Sequence, residues 1–342
     1  MLVIVADDLT GALDTAAPFA ARGLHTEVVL NAAAVAQRLP LSPDVLAINL
    51  ASRERSPEEA FQSMRHVVQQ LPLHARLFKK IDSRLKGHIS PELDAISYRK
   101  ALVAPAIPAF GRVVRNSHVE GFGVASPISI VDVLRHHAAC ATVPDTLKDD
   151  DLLAALETAE AGGVDLLVGA RGLAEALARQ MTGQSEAGFV APPEGPGLLV
   201  IGSHDRITVE QVEQLRQLDT VAYHPAPNGV MAPATSNSAQ IAVVQATEGA
   251  VSISSEEVSD NLATSVHPHM TRTARTLLLC GGATAEAVLA RMGIHSFRLQ
   301  GECLPGLGLA YADSQCIIAK SGGFGGPDTL VTLARHLGGG RG

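Results

Sequence analysis

Two sets of segments in this chain carry residues that a plain connecting loop does not require. The first set is charged. Ala6-Asp7-Asp8-Leu9-Thr10-Gly11 follows the apolar run at residues 3–5. Two adjacent carboxylates at the end of a strand accept hydrogen bonds from a polyol, or take a proton from a hydroxyl. One aspartate is enough to cap the following helix, so the second is surplus to capping. Lys79-Lys80-Ile81-Asp82-Ser83-Arg84-Leu85-Lys86-Gly87-His88 follows a second apolar run. Its cations Lys80, Arg84 and Lys86 suit an acidic substrate or a transferring phosphoryl group, and Asp82 and Ser83 suit hydroxyls. A solvated basic turn accounts for the same segment equally well. Ser52-Arg53 stands at the corresponding place after residues 45–50, which adds Arg53 as a candidate for holding a carboxylate.

The second set is glycine-rich. Lys320-Ser321-Gly322-Gly323-Phe324-Gly325-Gly326-Pro327-Asp328 follows an apolar run and leads into a helix. Such a turn presents bare backbone N–H groups at the positive end of a helix, with a lysine beside them, which suits phosphate. Gly281-Gly282-Ala283-Thr284 follows residues 276–280 in the same way, and Gly202-Ser203 ends residues 198–201 before a helix beginning near Thr208. None is the common P-loop, which has four residues between its first glycine and Gly-Lys-Ser/Thr. Each alone reads as an ordinary strand-to-helix turn. Three in one half of the chain point to a nucleotide.

Elements must place these segments. Apolar runs at 3–5, 27–30, 45–50, 77–81 and 102–104, then at 166–168, 198–201, 241–244, 277–280 and 316–319, read as strands. Helix signals stand between several of them. Ser56-Pro57-Glu58-Glu59 is a capping box with proline at the first helical position, leading a helix to about Leu71. Ser90-Pro91-Glu92 opens another, and Asp149-Asp150-Asp151 starts a helix reaching Ala161. A helix over residues 11–22 stops at Gly23, with Pro18 expected to kink or shorten it. The alternation predicts an α/β protein of two doubly wound domains with mainly parallel sheets facing a central cleft. Residues 182–197, rich in proline and glycine, are the expected linker between domains at 1–185 and 197–342.

Composition narrows the classes. With 342 residues, 46% hydrophobic and 18% charged, the chain suits two cored domains and not wholesale disorder. A net charge of −8 argues against non-specific nucleic-acid binding. No apolar stretch approaches the roughly 20 residues needed to cross a bilayer, and the start has no basic leader, so the expected location is the cytoplasm. The scattered Cys140, Cys280, Cys303 and Cys316 have neither metal nor redox spacing. The 13 histidines show no His-x-x-x-His pair with a third ligand, so no metal ligands are assigned and a dedicated zinc site is not expected. No Gly-x-Ser-x-Gly elbow is present, nor Gly-x-Gly-x-x-Gly after the first strand, which argues against a hydrolase and an NAD-dependent oxidoreductase.

Taken together, the segments resemble the four-carbon acid sugar kinase family. Its Asp-Asp-x-Thr-Gly-Ala start is matched by Asp7-Asp8-Leu9-Thr10-Gly11-Ala12, and its Ser-Arg pair by Ser52-Arg53. Its Lys-x-Asp-Ser-x-x-Arg-Gly segment is matched by Lys80-Ile81-Asp82-Ser83-Arg84-Leu85-Lys86-Gly87, with Lys86 where arginine is usual. Gly202-Ser203, Gly281-Gly282-Ala283-Thr284-Ala285 and Lys320-Ser321-Gly322-Gly323-Phe324-Gly325 match its three later turns, with Ala283 in place of an acidic residue. Val168-Gly169-Ala170-Arg171-Gly172-Leu173-Ala174 resembles a helix opening late in the family's first domain. The matches keep their order over nearly the whole chain, which is shorter than typical members.

The resemblance implies an N-terminal domain for a small sugar acid, a C-terminal domain for ATP with Mg²⁺, and phosphorylation of the terminal hydroxyl of threonate, erythronate or a 3-oxo-tetronate. It implies that Asp7, Arg53, Lys80, Ser83, Arg84 and Lys86 meet the substrate. Ser203, Gly281, Gly282, Ala283, Thr284, Lys320, Gly322, Gly323 and Gly325 would meet the nucleotide. Asp8 and Asp82 are the two candidates for the base; Asp8 is favoured because the end of the first strand is the more rigid platform. Domain closure would exclude water from the transfer. The competing reading is a sugar-acid or nucleotide sensor that kept binding and lost chemistry, to which Ala283 and Lys86 would point. The expected partner is a small molecule, not nucleic acid or membrane, and an oligomer is allowed.

Overall fold

The structure is a computed structural model and describes residues 1–232, 239–312 and 314–339. Six residues at 233–238, Asp313 and the last three of the expected nucleotide domain at 340–342 lie outside the described residues. The chain divides into two units, Met1–Gly188 and Phe189–Gly342.

In the first unit the strands are β1 (Leu2–Ala6), β2 (Thr26–Val29), β3 (Val45–Asn49), β4 (Arg76–Lys80), β5 (Ala101–Ala104), β6 (Arg112–Arg115), β7 (His118–Gly121), β8 (Ile128–Ser129), β9 (Ala141–Thr142) and β10 (Leu166–Gly169). Their main sheet runs β2-β3-β1-β4-β10-β5-β9, parallel throughout. Both faces are covered, so the strands are near-continuous runs of Val, Ile and Leu. Val3, Val5, Leu46, Ile48, Val103 and Val168 form the middle of one core. Register sets Ala6 beside Asn49 and Val5 beside Lys79, so the residues that follow β1, β3 and β4 emerge together at one end of the sheet.

Sequence patterning did not anticipate the small antiparallel sheet β6-β7-β8. Its hairpin turns at Asn116-Ser117, both with positive φ (49° and 58°), as a two-residue turn of the hairpin type requires. Without glycine at the second position, the turn gives only a weak sequence signal.

The helix Leu9–Ala20 runs through Pro18 instead of stopping there. A proline lacks the N–H that would bond the carbonyl four residues back. That carbonyl, on Asp14, accepts from Arg171 Nη1 at 3.4 Å, and the same guanidinium nitrogen lies 2.9 Å from Asp14 Oδ1. The capping box at Ser56 forms with both halves present, on a helix Pro57–Val68 slightly shorter than its periodicity suggests.

The second unit contains β11 (Gly197–Ile201), β12 (Val221–Pro227), β13 (Ile241–Thr247), β14 (Thr276–Cys280), β15 (Ser296–Leu304), β16 (Leu307–Ala312) and β17 (Gln315–Lys320). Their order is β12-β13-β11-β14-β17-β16-β15; the first five are parallel, and β16 and β15 add antiparallel strands. That last hairpin, turning at Pro305-Gly306, was missed because its strands mix small and polar residues. Leu199, Ile201, Val243, Leu278, Ile318 and Leu330 centre its core. All four cysteines are free, and Cys280, Cys303 and Cys316 are buried. Among the described residues, no helix is long and apolar enough to cross a membrane.

Candidate active site

At the end of β1, Asp7 is buried and Asp8 half-buried. Arg53 binds both. Its Nε and Nη2 donate to Asp7 Oδ2 and Oδ1 at 2.8 and 2.9 Å, and its Nη1 donates to Asp8 Oδ2 at 2.9 Å. The bidentate geometry suits a guanidinium and no other cation. Three of its five N–H groups are thereby used, and one on each terminal nitrogen is left. Burial lowers the Arg53 pKa, but Asp8, Asp7 and Asp82 outweigh it and hold the cation above its ordinary value. Burial likewise pushes the Asp7 carboxyl up, but the Arg53 hydrogen bonds and the charges of Lys79, Arg53 and Lys80 more than offset it, and Asp7 titrates below the usual 3.8.

The loop after β4 folds over the same carboxylates. A Cβ on Gly87, where φ is +91°, would lie 2.6 Å from Asp7 Oδ2. A Cβ on Gly11 would lie 2.4 Å from Asp8 Oδ1 and 2.8 Å from Lys80 Nζ, so the Lys80 ammonium sits over the start of the first helix. Both glycines are required by close approach. Further along the loop, Ser83 Oγ accepts from Arg112 Nη1, a residue of β6. Burial and then the neighbouring Arg84 lower the Arg112 pKa against the pull of Asp82. Arg112 is thus a fourth cation of this group, and sequence reasoning missed it. Lys86 is exposed.

The two candidate bases differ in their surroundings. Asp8 accepts from Gly11 N at 3.0 Å as the helix cap, from Thr10 Oγ1 at 2.7 Å, and from Arg53. Asp82 accepts from Arg84 N through Oδ1 at 2.8 Å, and among the described residues Oδ2 has no hydrogen-bond partner. Both oxygens of Asp8 thus accept hydrogen bonds from the chain, whereas only one oxygen of Asp82 does.

Beneath the loops lies a buried ion pair. Lys79 Nζ is 2.7 Å from Glu92 Oε2, with both side chains almost wholly enclosed, and Ser52 Oγ donates to Glu92 Oε1. Ser52 and Lys79 are therefore turned inward and brace the loop carrying Arg53. Nothing in Ser90-Pro91-Glu92 beyond a helix start signals this role.

In the second unit the three glycine turns follow the adjacent strands β11, β14 and β17. A Cβ on Gly322 would meet Ser203 Oγ at 2.1 Å, and one on Gly202 would meet Thr284 Oγ1 at 1.8 Å. These glycines let the turns close on each other. Gly281, at φ +106°, precedes the helix Gly282–Arg291, whose first N–H groups have no intrahelical partner. Ala283 is exposed at that end, whereas Thr284 is buried against Gly202.

Lys320 is turned away from solvent. Its Nζ donates to Thr208 Oγ1 at 3.1 Å, to Ser321 O at 3.1 Å and to Gly322 O at 3.3 Å, which uses all three ammonium protons. Burial lowers its pKa, partly offset by the neighbouring Cys280 and Asp205. The lysine expected beside the phosphates thus fastens the glycine turn. Thr208 donates to Gly322 O at 2.7 Å, and Gln211 Nε2 donates to Phe324 O and Gly326 O at 3.1 and 2.7 Å. These two residues of the helix Arg206–Leu215 complete the support, and neither was legible in advance. Gly323 differs: a Cβ there would reach only ordinary contact, 3.4 Å from Asp205 Oδ2.

Two family models match the chain. A family model described as a sugar-binding N-terminal domain matches residues 2–127, and one described as a nucleotide-binding C-terminal domain matches residues 198–330. A D-threonate kinase of Cupriavidus necator is 28% identical over 96% of this chain and 96% of its own length. A 3-oxo-tetronate kinase of the same organism is 24% identical over 99% and 98%. A D-erythronate kinase of Heliobacterium modesticaldum is 30% identical over 65% of this chain and 47% of its own. A Salmonella typhimurium structure described as a putative tRNA synthase superposes with a TM-score of 0.78, at 19% identity and 98% coverage of both chains, and shares the fold. With one domain model on each unit and kinases of three related acids aligned along the chain, this protein belongs to the four-carbon acid sugar kinase family.

Proposed function

We propose that the protein transfers the γ-phosphoryl of ATP to the terminal hydroxyl of a four-carbon sugar acid of the threonate, erythronate or 3-oxo-tetronate type. One observation carries the reading: two triplets of adjacent parallel strands end in opposite materials, charged side chains in the first unit and glycine backbone in the second. Ligands of open α/β sheets bind at such strand ends.

In the first unit, the free N–H groups of Arg53 together with Lys80, Arg84 and Arg112 hold the carboxylate and hydroxyls of the acid. Asp7 and Asp8 fix Arg53 and offer acceptors to the polyol. Asp82 Oδ2 takes the proton of the attacking hydroxyl; the freed oxygen bonds to the γ-phosphorus as its bond to the β-γ bridging oxygen breaks, and ADP leaves. In the second unit, the amides at Gly281–Thr284 and Gly322–Gly323 hold the phosphates. Gly323 supports this, because its own protein surroundings leave space for a side chain. Asp205, which faces Gly323, suits a hydrated Mg²⁺ arriving with ATP; the ion supplies charge neutralisation. Lys320 acts by positioning.

ADP release measured over a panel of C4 sugar acids tests the proposal. One acid should turn over well and its uncharged polyol poorly, since losing a charge-assisted hydrogen bond costs about 1.5–3 kcal/mol. Comparable turnover of threonate and threitol overturns the carboxylate assignment. Thermal shifts with acid and ATP but no ADP release across the panel overturn the kinase in favour of a sensor.

A further inference from the structure

Away from the strand ends, Asp94 closes the short helix Ile89–Asp94, and His136 and His137 lie in the tight turn Arg135–Cys140. Both imidazole Nε2 atoms are 3.0 Å from the same Asp94 Oδ1. The ligand atoms of all three side chains lie within 4.8 Å of one another, and among the described residues this is the one group of His, Cys, Asp or Glu that converges so. Sequence neighbours normally diverge; these two rings have centroids 4.1 Å apart. The turn is entered through Arg135 at φ +55° and ψ −126°, backbone that a non-glycine residue rarely adopts.

We infer that Asp94, His136 and His137 bind a divalent transition ion, Zn²⁺ foremost. Two imidazoles and one carboxylate are a common zinc donor set, with Zn–N near 2.0–2.1 Å and a fourth position for water. Tetrahedral ligands at that bond length stand about 3.3 Å apart, so the 3.0 Å spacing needs to open only slightly. The outer partner is also in place: His137 Nδ1 is 2.6 Å from the Tyr98 hydroxyl. With the ion on Nε2, Nδ1 carries the proton and donates to the Tyr98 oxygen. Without the ion, Nε2–H donates to Asp94 and the hydroxyl donates to Nδ1. A hydroxyl does either, and such a partner fixes the tautomer a metal needs. Asp94 and His136 are exposed, which gives the ion an entry path.

The site has a structural role. Asp94 shares its helix with Glu92, the residue that pairs with Lys79 and Ser52. An ion joining Asp94 to the 135–140 turn pins that helix, and binding to the folded state alone raises its stability by mass action.

The full chain, stripped with chelator, is titrated with Co²⁺ and followed by visible d–d absorption, then with Zn²⁺ as competitor. The expected result is one saturable equivalent of Co²⁺, displaced by Zn²⁺, with a rise in Tm on Zn²⁺ addition. His136→Ala and Asp94→Asn should abolish the equivalent. Tyr98→Phe should weaken it about 10–100-fold, and His66→Ala, on the exposed face of another helix, should leave it intact. His136 is exposed, so its alanine variant retains the fold, checked by circular dichroism. Failure to saturate at one equivalent, or unchanged affinity in folded His136→Ala, overturns the site.

Discussion

The strand ends of the first unit and those of the second differ in what makes them rigid. After β1, β3 and β4, rigidity comes from charge: Asp7 and Asp8 grip Arg53, and Glu92 grips Lys79 below. After β11, β14 and β17 it comes from missing side chains, with Gly202 and Gly322 letting neighbouring turns interlock, and from the buried Lys320 tying down carbonyls. The first arrangement leaves selected charges over for a ligand; the second leaves bare amides. Substitutions in the first should therefore alter acid recognition and catalysis. Substitutions in the second should divide sharply between those that unlock the turns and those that only crowd phosphate.

The largest effect is expected at Asp82. Asp82→Asn keeps the loop's hydrogen bond to Arg84 and removes the proposed base, so kcat should fall roughly 10²–10⁴-fold with little change in the KM for the acid. Asp8→Asn should instead raise the KM and lower stability, because Arg53 and the helix cap both depend on that carboxylate. If kinetics show the opposite split, the base returns to Asp8 and the distinction between an occupied and an open carboxylate fails.

Next is Arg53→Met, read by denaturant unfolding. It strands the buried Asp7, and removing one partner of a buried pair costs about 3–5 kcal/mol. The pH dependence checks the cause. Because the folded pKa of Asp7 is depressed, the stability it contributes is fully present above the usual carboxylate value of 3.8 and is lost as pH falls through the lower folded pKa. The deficit of Arg53→Met should therefore shrink in acid. A deficit constant down through that window would mean that packing, not the ion pair, holds the loop.

How much of this was readable in the chain follows the same division. Asp7, Asp8, Arg53 and the glycines were visible because they interrupt apolar runs with residue types that strand-to-helix turns do not need. Glu92 was not, since it meets Ser52 across 40 residues and looks locally like part of a helix start. Arg112 was hidden in a hairpin whose turn lacks glycine. Thr208 and Gln211 sit on a helix that appears ordinary until the turn at 321–326 packs against it. The direction of Lys320 was also beyond the sequence, because spacing places a lysine beside a turn but not its ammonium inside or outside. Residue types and the alternation of strands and helices along the chain were legible; the order of strands in the sheets, which side chains face the ligand, and which hold the others, required the packing.

Lys320→Met tests that inward direction. It removes the ammonium's hydrogen bonds to Ser321 O and Gly322 O, which then keep only Phe324 N and Thr208 Oγ1 as donors; losing charge-assisted bonds of this kind costs about 1.5–3 kcal/mol of stability, and the KM for ATP should rise as the turn loosens. A folded Lys320→Met of unchanged stability with a reduced kcat would instead mean that the ammonium swings out to the phosphates.

The smallest expected effect on stability, and the finest test of the comparison, is the adjacent pair Gly322→Ala and Gly323→Ala. At Gly322 the new methyl would overlap Ser203 Oγ, with Asp205 Cβ 3.2 Å away, so the two turns must separate. Overpacking of that kind costs about 1–3 kcal/mol, and nucleotide binding should weaken with the fold. At Gly323 the methyl meets only Asp205 Oδ2 at 3.4 Å, and φ lies outside the left-handed region that favours glycine. Stability should therefore stay within about 0.5 kcal/mol of the parent. If phosphate approaches this amide, however, the methyl stands in its way, and the KM for ATP should rise on the order of tenfold with the KM for the acid unchanged. Equal effects of the two substitutions on unfolding would show that the turn is one packed unit. A Gly323→Ala protein with normal ATP kinetics would place the phosphates on the Gly281–Thr284 amides instead.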